Sequence, residues 1–298
     1  MDKVILLRFL PRQGIPLRAG DLPWALRAVE VALGSAGGPE GVVIAPEGVP
    51  PWLLAGAVHL LHPRLWVAVM EDRETAVVAV SHCREVSVGG QIRVAGEGIR
   101  VVEVPVPPAR VLALSGPPKA GKSRLRGALY EALRALEVRA RKAGAAPPRW
   151  FVQAFSPDSE GQWVADAHAL GRGAEAEARA RAIKNALKGS GAFFSPEWVE
   201  KTRSQLHGLC RWAEVVVADL GGLPSSENRE ILEGAREAQA LLVPVVLTRP
   251  DGEDGGWGRF WAGMGLRPLY AGPFHEGLAA ELLRGIIPGE LHAFLGGA

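Results

Sequence analysis

Cysteine is nearly absent from this chain. Only Cys83 and Cys210 occur, far apart and in no metal-binding spacing, which fits reduced thiols in a cytoplasmic protein rather than a zinc site or a disulfide scaffold. Charge of one sign is lacking as well: the formal net charge is +2, which argues against a surface that coats long nucleic acid but leaves room for a local basic pocket. No run is long and uncharged enough to span a bilayer, because the most apolar long window, 51–70, contains His59, His62, Pro63 and Arg64. The apolar start, Met1 to Phe9, is too short for a signal peptide and carries Arg8, with Pro11 close behind. Internal repeats are missing, and the one biased stretch, Gly173 to Lys188, reads as an Ala/Arg/Glu-rich helix. What remains is 298 residues, 48 % hydrophobic and 22 % charged, with a mean hydropathy of +0.09. Those values predict a soluble globular protein of two domains.

The best boundary is Val104 to Arg110, where three prolines in four residues predict an extended spacer. This gives a first domain over 1–104, a linker over 105–109 and a second domain over 110–298. The first domain reads as small α/β. Strands are expected at Lys3–Phe9, Gly41–Ile44, Leu65–Met70, Ala76–Val80 and Ile99–Val104, and helices at Leu22–Leu33 and Pro51–His62. The polar link Glu71 to Thr75 between two β-rich runs predicts a hairpin. The second domain alternates strand and helix, as a doubly wound parallel sheet requires. Its strands are expected at Val111–Leu114, Trp150–Ala154, Val215–Ala218, Leu241–Leu247 and Leu269–Ala271. Its helices are expected near 123–141, 173–188, 196–211, 226–239 and 276–286, the third capped by Ser195 with Pro196 at its first position.

The sharpest chemical signal is Gly116-Pro117-Pro118-Lys119-Ala120-Gly121-Lys122-Ser123, which fits G-x-x-x-x-G-K-[ST] between an apolar strand and a helix. Glycines let backbone N–H groups face phosphate oxygens, Lys122 reaches the outer phosphates, and the Ser123 hydroxyl can ligate Mg2+. Arg124, next in line, is placed with this set. The expected ligand is a nucleoside triphosphate, ATP, with magnesium. A second carboxylate for the metal is expected from Asp219 at the end of an apolar strand, and Gly222 completes a D-x-x-G pattern able to sense a terminal phosphate. Asp158 and Glu160, in a Gly-containing loop before Trp163, could position a nucleophile beside the nucleotide, or form an ordinary acidic loop. Thr248-Arg249-Pro250-Asp251 is loosely similar to a T-K-x-D guanine-reading element, with Arg in place of Lys, and carries no base preference.

The first domain offers His59 and His62, which share a helix face, then Glu71, Asp72 and Arg73, then His82. Taken alone, such a histidine pair is more often a helix end with satisfied imidazoles than a ligand set. The stretch Gly41-Val42-Val43-Ile44, Pro51-Trp52-Leu53, His59, His62-Pro63, Val67-Ala68-Val69, Arg73 and Val80-Ser81-His82 resembles the small CRISPR-associated ring nucleases of type III systems, some of which carry a C-terminal P-loop ATPase domain. The resemblance is densest over 41–82. It implies functional roles for His62, His82 and Arg73, and manganese dependence. The family's acidic residue is Asp, whereas this sequence has Glu71 at that position, with Asp72 beside it, so Glu71 stands as the implied metal ligand.

Spacing adds a constraint. His62 and His82 should lie at one end of the hairpin and Glu71 and Arg73 at the other, about 20 Å away at strand rise. One subunit then cannot gather all four, and a head-to-tail homo-oligomer, dimer or tetramer, with composite sites is expected. The implied activity is cleavage of cyclic oligoadenylate, cyclic tetra-adenylate above all, by a cytoplasmic enzyme with no membrane or long nucleic-acid partner. ATP would regulate it or serve a second substrate. The alternatives are a P-loop small-molecule or nucleotide kinase with a regulatory first domain, and a non-catalytic sensor that only binds the cyclic messenger.

Overall fold

The computed structural model describes residues 4–33, 40–94, 98–156, 174–175, 178–179, 182 and 194–295. The chain divides into two units, Met1–Pro108 and Ala109–Ala298.

The first unit is built on β1 (Val4–Pro11), α1 (Leu22–Leu33), β2 (Gly41–Ala45), α2 (Pro51–Leu61), β3 (Trp66–Met70), β4 (Thr75–Ser81), β5 (Gln91–Arg93) and β6 (Ile99–Val106). These strands form one mixed sheet in the order β5-β4-β3-β2-β1-β6. β6, β1, β2 and β3 run parallel, while the β3–β4 and β4–β5 pairs are antiparallel. Helical spacing explains the layer above: α1 buries Ala25, Ala28, Val29 and Leu33, and α2 buries Leu53, Ala57 and Leu61. A second cluster joins Leu6, Val43, Trp66, Ala68 and Val78 to Val86 and Ile92. Within it the Trp66 ring lies flat across Gly41, where a Cβ would fall 1.9 Å from Trp66 Cε2.

Two features depart from expectation. The proline-rich run is not a spacer from 105 onward: β6 continues through Val106, with Leu10 opposite Pro105. β6 is an edge strand, so the missing N–H of Pro105 faces away from the ladder and costs no sheet hydrogen bond. β5 is too short to announce itself by alternation, and its three residues pair with Thr75, Ala76 and Val77 of β4.

The second unit holds β7 (Arg110–Ser115), α3 (Lys122–Lys142), β8 (Trp150–Ala154), α4 (Pro196–Trp212), β9 (Val215–Asp219), α5 (Ser226–Glu237), β10 (Leu241–Thr248), α6 (Trp257–Gly263), β11 (Tyr270–Pro273) and α7 (Leu278–Ile286). All described pairings are parallel, in the order β11-β10-β7-β9-β8. β7 is central and every residue in it is buried. The chain leaves β7 toward one edge and returns from β9 past it toward the other, so the crevice at the carboxyl end of β7 is the topological switch point. The expected α4 cap is present, with Ser195 Oγ accepting the Trp198 N–H at 3.2 Å. Of the helix expected at 173–188, residues 174–175, 178–179 and 182 are helical and the rest lie outside the described residues. α6 was missed because its Trp257 and Trp261, both fully buried, follow a glycine-rich loop and span only seven residues.

Candidate functional site

At the switch point the phosphate loop sits where its pattern requires. It leaves β7 at Ser115, whose hydroxyl donates to Val245 O at 2.7 Å and accepts from Trp261 Nε1 at 3.0 Å. Three residues then take positive φ: Gly116 (140°), Lys119 (67°) and Gly121 (97°). Gly121 caps α3, and Lys122 opens it. A side chain at Gly116 would place Cβ 2.3 Å from Leu247 O, so the loop can pass β10 only as glycine. Gly116→Ala is therefore expected to cost about 2 kcal/mol or more and to lower the melting temperature of the second unit, checked by calorimetry. Lys122 Nζ donates to Gly116 O at 2.7 Å and Pro117 O at 3.0 Å, lying across the loop. Ser123 is exposed, while the Arg124 guanidinium stacks on Phe274 at 4.8 Å from the ring centroid.

Asp219 ends β9 directly beside Leu114 of β7. It is buried, with Oδ2 at 3.4 Å from Arg126 Nη1 and Oδ1 accepting the Gly221 N–H at 3.3 Å. Gly222 approaches the loop closely, since a Cβ there would lie 3.0 Å from Pro118 Cγ. Its carbonyl accepts from Trp257 Nε1 at 3.5 Å. Arg249 donates from Nε to Pro118 O at 3.4 Å and pairs with Glu253, so the 248–251 element lies against the phosphate loop. The structure thus gathers Gly116–Arg124, Asp219 and Gly222 at one crevice. Asp158 and Glu160 lie outside the described residues. Sequence reasoning missed Arg126, which faces Asp219 from the second turn of α3. Removing one partner of such a buried pair costs about 3–5 kcal/mol, so an Asp219 variant mixes stability with chemistry. The donor set fits ATP and magnesium: loop N–H groups and Lys122 for the phosphates, Ser123 and Asp219 oxygens for the cation.

In the first unit, Pro63 stops α2 just after His62, which caps it through its N–H to His59 O at 3.3 Å. The chain turns into β3, and His82 follows β4 with its N–H bonded to Leu65 O at 2.8 Å. A bulge at Ala79, the extra residue between the Val67–Val80 and Ala68–Val78 pairs, sits just before that end. His62 and His82 meet edge to face with ring centroids 5.0 Å apart. His82 Nε2 lies 2.9 Å from His62 O. A carbonyl only accepts, so Nε2 carries the proton and neutral His82 keeps its lone pair on Nδ1. Both rings are exposed, and among the described residues no hydrogen bond or ring contact joins the His59 side chain to them.

The other end of the hairpin carries the charged trio. Glu71 Oε2 accepts from Gln91 Nε2 at 3.0 Å, and Arg73 is exposed. Asp72 builds the turn: its Oδ1 accepts the N–H groups of Glu74 at 2.8 Å and Thr75 at 2.7 Å. Those bonds hold the Asp72 carboxyl below its ordinary value of 3.8. A lowered folded pKa stabilises above the unfolded value and loses that stabilisation as pH falls through the folded one. Asp72→Ala is therefore expected to melt below the parent at neutral pH, with the gap closing as pH falls under 3.8 in a pH series of thermal scans. β3 separates the two ends by about 16 Å at strand rise. Among the described residues no three His, Cys, Asp or Glu side chains gather as a metal site. The manganese set implied by the resemblance is thus not assembled within the described part of one chain.

Residues 29–93, which contain both histidines and the trio, match the family described as CRISPR-associated protein (Cas_csx3). That match associates the first unit with CRISPR systems. No curated protein matches the chain. Among solved structures, an APS kinase (CysC) of Mycobacterium tuberculosis aligns at 14 % identity over 59 % of this chain and 95 % of that one, with a TM-score of 0.28, too slight a likeness to bear on function. No described helix is long and apolar enough to cross a membrane.

Proposed function

We propose that the first unit cleaves cyclic oligoadenylate, with cyclic tetra-adenylate as its substrate, and so switches off type III CRISPR signalling. The observation that carries this reading is the His62–His82 pair, centroids 5.0 Å apart, within a segment matching a CRISPR-associated family. The ribose 2′-OH beside the scissile phosphate is an internal nucleophile already oriented by the ring. His82 Nδ1 takes its proton as the 2′-oxygen bonds to phosphorus. The bond from phosphorus to the 5′-oxygen breaks, and that oxygen receives a proton from His62. The products are a 2′,3′-cyclic phosphate end and a 5′-hydroxyl end.

Arg73 neutralises the charge of the pentacoordinate phosphorus. Because it lies across β3 from the histidines, it comes from a second copy stacked head to tail, together with Glu71. Manganese, where used, would be held at that junction rather than within one chain. The second unit binds ATP and magnesium, and nucleotide turnover regulates the assembly or serves a second substrate. The test is complementation. His62→Ala and Arg73→Ala chains should each be inactive in ring cleavage and regain activity when mixed. Two variants that stay inactive in the mixture, with oligomers formed, would contradict the composite site.

One observation keeps a sensor reading in view: Glu71 is already bonded to Gln91, far from the histidines. A sensor would bind cyclic tetra-adenylate tightly and leave it intact.

A further inference from the structure

Arg64 follows His62 and Pro63 in the bend that enters β3. Its N–H donates to Leu61 O at 2.9 Å, and the next residue, Leu65, accepts from His82 at 2.8 Å. The backbone therefore brackets Arg64 between the two histidine-bearing ends. It is 8 % exposed. Among the described residues its guanidinium has no hydrogen-bond, ion-pair or aromatic partner. Other buried arginines are paired, Arg126 with Asp219 and Arg110 with Glu214. None of the Arg64 nitrogens is among the unpartnered side-chain atoms sealed from solvent, so its small remaining exposure includes the charged end.

A guanidinium stays charged at every working pH, and a charge drawn out of water without a counter-charge is destabilising. Its planar fork matches two oxygens of a phosphate. We propose that Arg64, with His62 and His82, forms a phosphate subsite at the amino edge of β3. The guanidinium is the fixed charge, and the imidazoles act on the bound ester. This deepens the phosphodiesterase reading by naming what anchors the scissile group, yet it stands on the burial and isolation of Arg64.

The test uses the full chain carrying Lys122→Ala, so that the phosphate loop does not answer for it. Inorganic phosphate is titrated against potassium chloride of equal ionic strength, and the imidazole NMR signals of His62 and His82 are followed beside the melting temperature. Phosphate should shift both signals saturably. Arg64→Met should weaken that response by about tenfold or more, Arg64→Lys by less. Arg64→Met should also melt no lower than its parent in chloride, having lost an uncompensated charge. An unchanged phosphate midpoint in Arg64→Met, or equal destabilisation by it in both salts, would overturn the subsite. The two readings fail separately. Phosphate binding that needs Arg64 in a protein that ignores cyclic tetra-adenylate would leave the subsite and remove the ring substrate. Ring cleavage at the parental rate by Arg64→Met would do the reverse.

Discussion

Lys122→Ala should weaken ATP binding by about 10- to 100-fold, the range set by one charge-assisted contact of about 1.5–3 kcal/mol. Lys122 now lies on two loop carbonyls, Gly116 O and Pro117 O. Those acceptors stand in for phosphate oxygens, so an ammonium there is preorganised to transfer to the ligand. Lys122 is half-buried, and the nucleotide-free protein should keep its melting temperature within a few degrees. Titration calorimetry with Mg·ATP reads the loss. Parental affinity in the variant would mean that the loop does not hold the phosphates. Gly116→Ala would reach the same end by another route, through the backbone, and the two variants separate chemistry from shape.

The second large effect is on ring opening. His62→Ala and His82→Ala should each lower cleavage of cyclic tetra-adenylate by about 10²- to 10⁴-fold, the usual worth of a positioned acid or base. The geometry makes these clean substitutions. His82 bonds to the backbone carbonyl of residue 62, so that contact survives His62→Ala. Both side chains are exposed, so neither truncation opens a cavity. Unchanged melting with lost turnover is the expected signature of His62→Ala, whereas His82→Ala also gives up its bond to His62 O. Retained turnover in both variants would remove the histidines from the chemistry.

Much of this architecture was legible because its signals are local. Polar Glu71 to Thr75 between two β-rich runs marked the hairpin, and the hairpin alone dictates that His62 and His82 share an end. The phosphate loop was readable for the same reason: its glycines answer a backbone demand, seen at Gly116 against Leu247 O. What stayed hidden depends on partners distant in sequence. Arg126 reads as one more helix arginine until β9 brings Asp219 to it across 93 residues. Arg64 gave no sign either, because isolation is a property of surroundings rather than of pattern. The Pro105 to Pro108 run misled because proline signals an end to central strands only, and β6 is at the edge. Asp72 stands in the sequence with Glu71 and Arg73 as a candidate site residue, yet its spacing to Glu74 and Thr75 is that of a turn-building aspartate.

The most direct test of the central claim is product analysis. The full chain is incubated with cyclic tetra-adenylate, with and without manganese and ATP, and the products are resolved by chromatography beside His62→Ala and Lys122→Ala. The account predicts linear fragments ending in 2′,3′-cyclic phosphate, abolished by His62→Ala and still formed by Lys122→Ala. A ring that is bound but recovered intact under every condition would contradict it and leave a protein that sequesters the messenger.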